Sequence, residues 1–136
     1  MWARTTTFES VGVGDRLPVL IKWETVESMK RLNARVSPAS DSAEGDGQEL
    51  SLHPRALTSY VTELLEKAFP VDSITAPGSN LEVEPLATVR PEDTISLSGK
   101  VVSKREEGDR RLVECQIIIE NQGNEMVAQG AAVVSL

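Results

Sequence analysis

Histidine and cysteine are almost missing from this 136-residue chain, which holds one of each, His53 and Cys115. A lone cysteine excludes an intramolecular disulfide framework. One cysteine and one histidine leave a structural zinc site without its ligands. No apolar run of about 18 residues occurs, so no transmembrane helix and no membrane partner are expected. Residues 1–15, MWARTTTFESVGVGD, lack the apolar centre of a signal peptide. Cytoplasmic residence is the simplest expectation. Neither a Walker A loop nor a G-x-G-x-x-G fingerprint is present, so no phosphate cradle is encoded and no cofactor is expected. Positive charge is scarce, with 14 Lys and Arg against 21 Asp and Glu; the net charge of −7 argues against nucleic acid as a partner.

What is present suits one domain, residues 1–136, with a core of its own. LPVLIKW, 17–23, reads as an apolar strand. Thr25 resembles an N-cap, and VESMKRLNAR, 26–35, follows as a helix with Val26, Met29 and Leu32 on a narrow buried face. SPASDSAEGDGQE, 37–49, is a Ser-, Gly- and Asp-rich loop. PRALTSYVTELLEKAF, 54–69, carries a wide apolar stripe of Leu57, Tyr60, Val61, Leu64, Leu65 and Ala68. Pro54 suits its first turn and Pro70 ends it. Residues 56–62 carry no charge, which predicts cover on most sides.

From residue 79 the pattern changes to period two. SNLEVEPL, 79–86, puts Leu81 and Val83 on one side. TISLSGKVV, 94–102, puts Ile95, Leu97 and Val101 inward. RRLVECQIIIEN, 110–121, faces Val113, Cys115, Ile117 and Ile119 inward. EMVAQGAAVVSL, 125–136, offers Met126, Ala128, Gly130, Ala132 and Val134 on one face, small enough to let a helix lie close. EGD, 107–109, and QGN, 122–124, read as hairpin turns. Helices early and antiparallel strands late predict an α+β fold in which a sheet covers a helix.

Three segments, in this order, resemble the MaoC-like (R)-specific enoyl-thioester hydratase/dehydratases, which have the hotdog fold. They are TFESVGVGDRLP (7–18), LTSYVTELLEKAF (57–69) and LEVEPLATVRPEDTISLSGKV (81–101). In the last, Val89-Arg90-Pro91-Glu92-Asp93-Thr94 stands where V-x-P-G-D-T is usual. The resemblance covers nearly the whole chain. It implies an antiparallel sheet wrapped around a long central helix, pairing into dimers or larger assemblies, and acyl-thioester sites at the subunit interface. Its members add water to, or remove it from, an acyl group on coenzyme A or acyl carrier protein. An Asp and a His in a loop reading approximately D-x-N-P-x-H-x-D converge on the water. A backbone N–H at the start of the central helix polarises the thioester carbonyl.

The D-x-N-P-x-H motif is not intact here. Two alignments stand. In one, His53 is the catalytic acid/base, Gln48 falls on the Asp position, and Glu49 or Asp46 supplies a carboxylate. In the other, LHPRALTSY matches the H-G-M segment that precedes the central helix. His53 is then structural, and Pro54 has no N–H to offer a carbonyl. The candidate catalytic residues are therefore His53 and Glu49, with Arg55, Ala56, Ser59 and Tyr60 on the substrate. Two further readings remain: a non-catalytic hotdog subunit that binds acyl thioesters or pairs with an active MaoC-like partner, and a thioesterase using Glu63. Glu63 also reads as a surface pair with Lys67. Lys100, Lys104, Arg105, Arg110 and Arg111 cluster around a hairpin tip, where they could meet coenzyme A phosphates. Cys115 reads as a buried small hydrophobe.

Overall fold

The computed structural model describes residues 6–36 and 50–136. Five strands form one antiparallel sheet: β1 (Leu20–Trp23), β2 (Asn80–Pro85), β3 (Thr94–Glu107), β4 (Arg110–Glu120) and β5 (Met126–Ser135), in spatial order β1-β3-β4-β5-β2. Three helices interrupt the run from β1 to β2: α1 (Val26–Val36), α2 (Pro54–Ala68) and a single turn, α3 (Val71–Ile74). The concave face of the sheet meets α2, the hotdog arrangement expected from the sequence.

The apolar stripe of α2 is buried as its spacing requires: Leu57, Tyr60, Val61, Leu64, Leu65 and Ala68, joined by Ala56. Opposite lie Ile95, Leu97 and Val101 from β3 and Val113, Cys115, Ile117 and Ile119 from β4, each 1% exposed or less. Burial of each large aliphatic side chain contributes roughly 1.5–3 kcal/mol, so this helix–sheet contact dominates the packing. The hairpin tips fall where turn residues were read, with Gly108 and Asn124 at positive φ.

Four expectations need correction. Val26 is exposed, and Asn33 takes its place on the buried face of α1 beside Met29. Thr58 and Ser59 are exposed, so the uncharged stretch 56–62 is not covered all round. Met126 is exposed while Val127 is fully buried. The register slips between Ile119 and Glu120, which inserts Val127 as an extra residue in β5. Gly130 makes room for a strand rather than a helix: a Cβ there would sit 2.8 Å from the Glu82 carbonyl oxygen of β2.

Candidate functional site

The start of α2 is held by a small set of hydrogen bonds. Asn33, buried on α1, donates through Nδ2 to the Ser51 carbonyl (2.8 Å) and accepts at Oδ1 from the His53 backbone N–H (2.8 Å). The Leu52 N–H donates to the Val89 carbonyl (2.9 Å), which ties the same segment to the β2–β3 connection. His53 is the N-cap of α2: its backbone is extended, and its Nδ1 accepts from the Arg55 N–H at 3.1 Å. An imidazole that accepts at Nδ1 carries its proton on Nε2. In the neutral ring the other nitrogen, Nε2, is therefore a donor and has no lone pair with which to take a proton from water.

The donors of this helix end are also spent. Pro54 has no N–H, the Arg55 N–H goes to His53 Nδ1, and the Ala56 N–H goes to the His53 carbonyl (2.9 Å). A carbonyl arriving here finds no open backbone donor from Pro54 to Ala56.

Beside this end lies a cavity of about 290 Å³, lined by Ser51, Leu52, Pro54 and Leu57 on one side and Leu86 to Val89 on the other. Its walls are mostly apolar and carry no charge, which suits a short acyl chain. A larger hollow of about 810 Å³ lies on the outer face of the sheet. Glu82, Glu84 and Glu114 line it, and three carboxylates repel the phosphates of coenzyme A or a carrier protein.

The residues singled out in the sequence are not brought together. Glu49, with Asp46 and Gln48, lies outside the described residues. Among the described residues no carboxylate pairs with His53. Arg55 and Ser59 point outward, the former toward the Val36 carbonyl at 3.5 Å. Ala56 and Tyr60 are buried in the core and do not line the cavity. Glu63 pairs with Lys22 of β1 at 2.9 Å, not with Lys67. Part of the basic hairpin is engaged within the chain: Arg105 meets Glu107 and Glu114, Arg111 meets Glu9 and Glu106, and Lys104 donates to the Val11 carbonyl. Cys115 is buried as expected, and burial pushes its thiol up to about 12.

Two polar residues escaped the sequence reading, Asn33 and Glu24. Glu24 is 1% exposed, and both its oxygens face the Tyr60 hydroxyl, at 2.6 and 2.9 Å. The Ser28 hydroxyl adds a third contact at 3.3 Å. Burial first, then the Glu24 hydrogen bond, its charge and that of Glu63, raise the Tyr60 phenol above its ordinary range. A polar residue at an apolar helical position, Asn33 four after Met29, was the one available signal. Glu24 gave none.

No group of three or more potential metal ligands exists among the described residues, and none of their helices is long and apolar enough to cross a membrane. No family model and no curated protein matches the sequence. Solved structures do match in three dimensions. A MaoC-like dehydratase from Rhodospirillum rubrum superposes with a TM-score of 0.74 at 20% identity, over 94% of each chain. A monoamine oxidase regulatory protein from Archaeoglobus fulgius gives 0.77 at 21% identity, over 100% of this chain and 97% of that one. The HadBC (3R-hydroxyacyl-ACP dehydratase) complex of Mycobacterium tuberculosis gives 0.65 at 13% identity, over 91% and 96%. At these identities the likeness shows the hotdog fold.

Proposed function

We propose that this chain is the non-catalytic subunit of a MaoC-like hydratase/dehydratase assembly in the cytoplasm, with residues 1–136 acting as one domain. It holds the acyl group of a coenzyme A or carrier-protein thioester beside the start of α2. A second hotdog chain carries the Asp/His pair that activates water. The observation behind this reading is the closed helix end. His53 Nδ1 accepts from the Arg55 N–H and the His53 carbonyl from the Ala56 N–H, which leaves no free base and no open oxyanion donor at this helix end among the described residues. The uncharged cavity at the same end supports acyl binding. One superposing relative, HadBC, is itself a dehydratase complex. The ion pair of Glu63 with Lys22 speaks against a thioesterase role for that carboxylate.

Incubating the purified protein with crotonyl-coenzyme A tests the reading. The expected result is no loss of enoyl absorbance, together with calorimetric binding of a saturated short-chain acyl-coenzyme A. Substituting Ala87→Trp, which fills the cavity, is expected to remove that binding. Turnover by the chain alone that disappears in His53→Ala would overturn the non-catalytic assignment in favour of a hydratase.

A further inference from the structure

Just before β1 the chain touches β3 at one further point: Arg16 and Lys100 form an isolated antiparallel bridge. The Leu17 N–H donates to the Gly99 carbonyl (2.9 Å) and the Val101 N–H to the Asp15 carbonyl (2.8 Å), one bond on either side of the pair. Arg16 and Lys100 therefore occupy a non-hydrogen-bonded position of the ladder. There the Cα atoms are about 4.5 Å apart and the side chains stand closest. Val101 is buried against α2, so alternation sends Lys100, and Arg16 with it, to the outer face. Two cations directly opposite each other destabilise a sheet.

Among the described residues no carboxylate pairs with either cation. Asp15 accepts instead from the Gly12 N–H (2.8 Å). Glu114, diagonal to Lys100 on β4, is engaged by Arg105 and the Ser103 hydroxyl. In the cross-strand row Lys100, Gln116, Ala131, Glu82, the first carboxylate stands three strands away. That is roughly 14 Å, beyond the screening length of about 8 Å in physiological salt. The ladder is also irregular here. Lys100 to Leu97 takes three steps along β3, whereas Arg16 to Leu20 takes four. The extra residue is a bulge around Pro18, which has no N–H for the ladder. A cavity of about 220 Å³ opens beside it, lined by Arg16 and Lys100 and by the apolar Leu17, Val19 and Ile118. Ser98 and Gln116 complete its wall, and neither side chain has a hydrogen-bond partner among the described residues.

We propose that this cavity binds a small organic carboxylate, its head group between Arg16 and Lys100 and its apolar part against Val19 and Ile118. An anion placed there replaces the repulsion of two cations by attraction to both. A guanidinium grips both oxygens of a carboxylate at once, and an ammonium adds a point charge from the side. The Ser98 hydroxyl and the Gln116 amide supply further donors. The volume falls below the roughly 300–1,000 Å³ of drug-sized sites, which limits the ligand to a small one. The site lies on the face of the sheet turned away from α2 and is independent of acyl binding.

Titrating the full chain with benzoate, followed by the backbone amide resonances of Ser98, Lys100 and Gln116, tests the site. Saturable shifts are expected. Benzamide, the same ring without the charge, and inorganic phosphate, the charge without the ring, should each bind at least about tenfold more weakly. Arg16→Gln and Lys100→Gln should each weaken benzoate binding roughly tenfold or more, the loss of a hydrogen bond to a charged group. Without ligand, both variants should melt at the wild-type temperature or above it, because a like-charge contact has gone. Ala87→Trp, which fills the cavity beside α2, should leave the benzoate response unchanged. No saturable shift, equal binding of benzamide or phosphate, or benzoate binding that survives both glutamine substitutions would overturn the proposal. So would a fall in melting temperature in both variants, which would make the two cations a structural contact instead of a ligand site.

Discussion

The Tyr60 hydroxyl lies 2.6 Å from one carboxylate oxygen of Glu24, a residue 36 positions earlier in the chain. The pair joins the end of β1 to the second turn of α2. A buried carboxylate loses its hydration and must recover it from protein donors. Here those donors are the phenol and the Ser28 hydroxyl. Tyr60→Phe removes the nearer one and is expected to cost about 2–3 kcal/mol, the loss of a hydrogen bond to a charged group. Urea unfolding of the two proteins measures it. A midpoint unchanged by Tyr60→Phe would show that Glu24 is satisfied without the phenol.

The same residue gives a spectroscopic prediction, because Tyr60 is the only tyrosine. Burial and the facing carboxylate raise its pKa in the folded state. Folding thus favours the protonated phenol. That contribution is complete below the ordinary tyrosine pKa of about 10 and fades as pH rises above it. Phenolate absorbance near 295 nm should therefore stay absent through pH 10 to 11. It should rise only together with loss of helical circular dichroism.

Cys115 follows the same sign. Its thiol is pushed up to about 12 in the fold from its ordinary 9.0, chiefly through burial and secondarily through the charge of Glu114. The stability it contributes is intact below pH 9 and declines between pH 9 and 12. Cys115→Ala should flatten the stability profile across that window, apart from the constant loss from the small cavity it opens. The native thiol should ignore a disulfide reagent at pH 8 and react only after denaturant is added.

The legible part of this fold was its periodicity. The stripe on α2 and the alternation in β3 and β4 name the core because each side chain's face follows from its place in the repeat. The misreadings arise where a repeat is interrupted or where burial depends on distant partners. Val127 is buried because a one-residue slip moves it there, and a slip leaves no mark on composition. Glu24 sits between a strand and a helix, and nothing near it in sequence announces that Tyr60 will enclose it. Every residue of LPVLIKW but Lys22 is apolar, so the strand could be read but not the face it leaves open. At the site, His53 was visible from the start. Its pairing with the Arg55 N–H, which favours the cap, exists only in the folded helix end.

That pairing predicts how His53 variants rank. As an N-cap, His53→Ala should cost about 1 kcal/mol, whereas His53→Asn, a better capping residue, should leave stability equal or higher. A role in acid/base chemistry orders the same variants by activity, with both inactive. Thermal melts and acyl-coenzyme A binding on the three proteins separate the two accounts. Equal destabilisation by Ala and Asn would mean that the ring does something other than cap.

Asn33 offers the sharpest single substitution. Its amide serves two groups at once, donating to the Ser51 carbonyl and accepting from the His53 N–H. Asp keeps the size and the acceptor but loses the donor, and it sets a carboxylate against a carbonyl in a site only 6% exposed. Asn33→Asp should therefore cost more than the roughly 1–3 kcal/mol of an orphaned buried polar group, and more than Asn33→Ala, which brings in no charge. Ser51 and Leu52 form one wall of the cavity beside the start of α2. Both substitutions should thus weaken acyl-coenzyme A binding, even under conditions where each protein remains folded. His53→Ala leaves the Asn33 contacts to the backbone in place and should weaken binding less. Calorimetry on the three variants at a temperature well below their melting points checks that order. An Asn33→Ala protein that binds as tightly as the wild type would show that the Ser51–Leu52 wall is not what the acyl group touches.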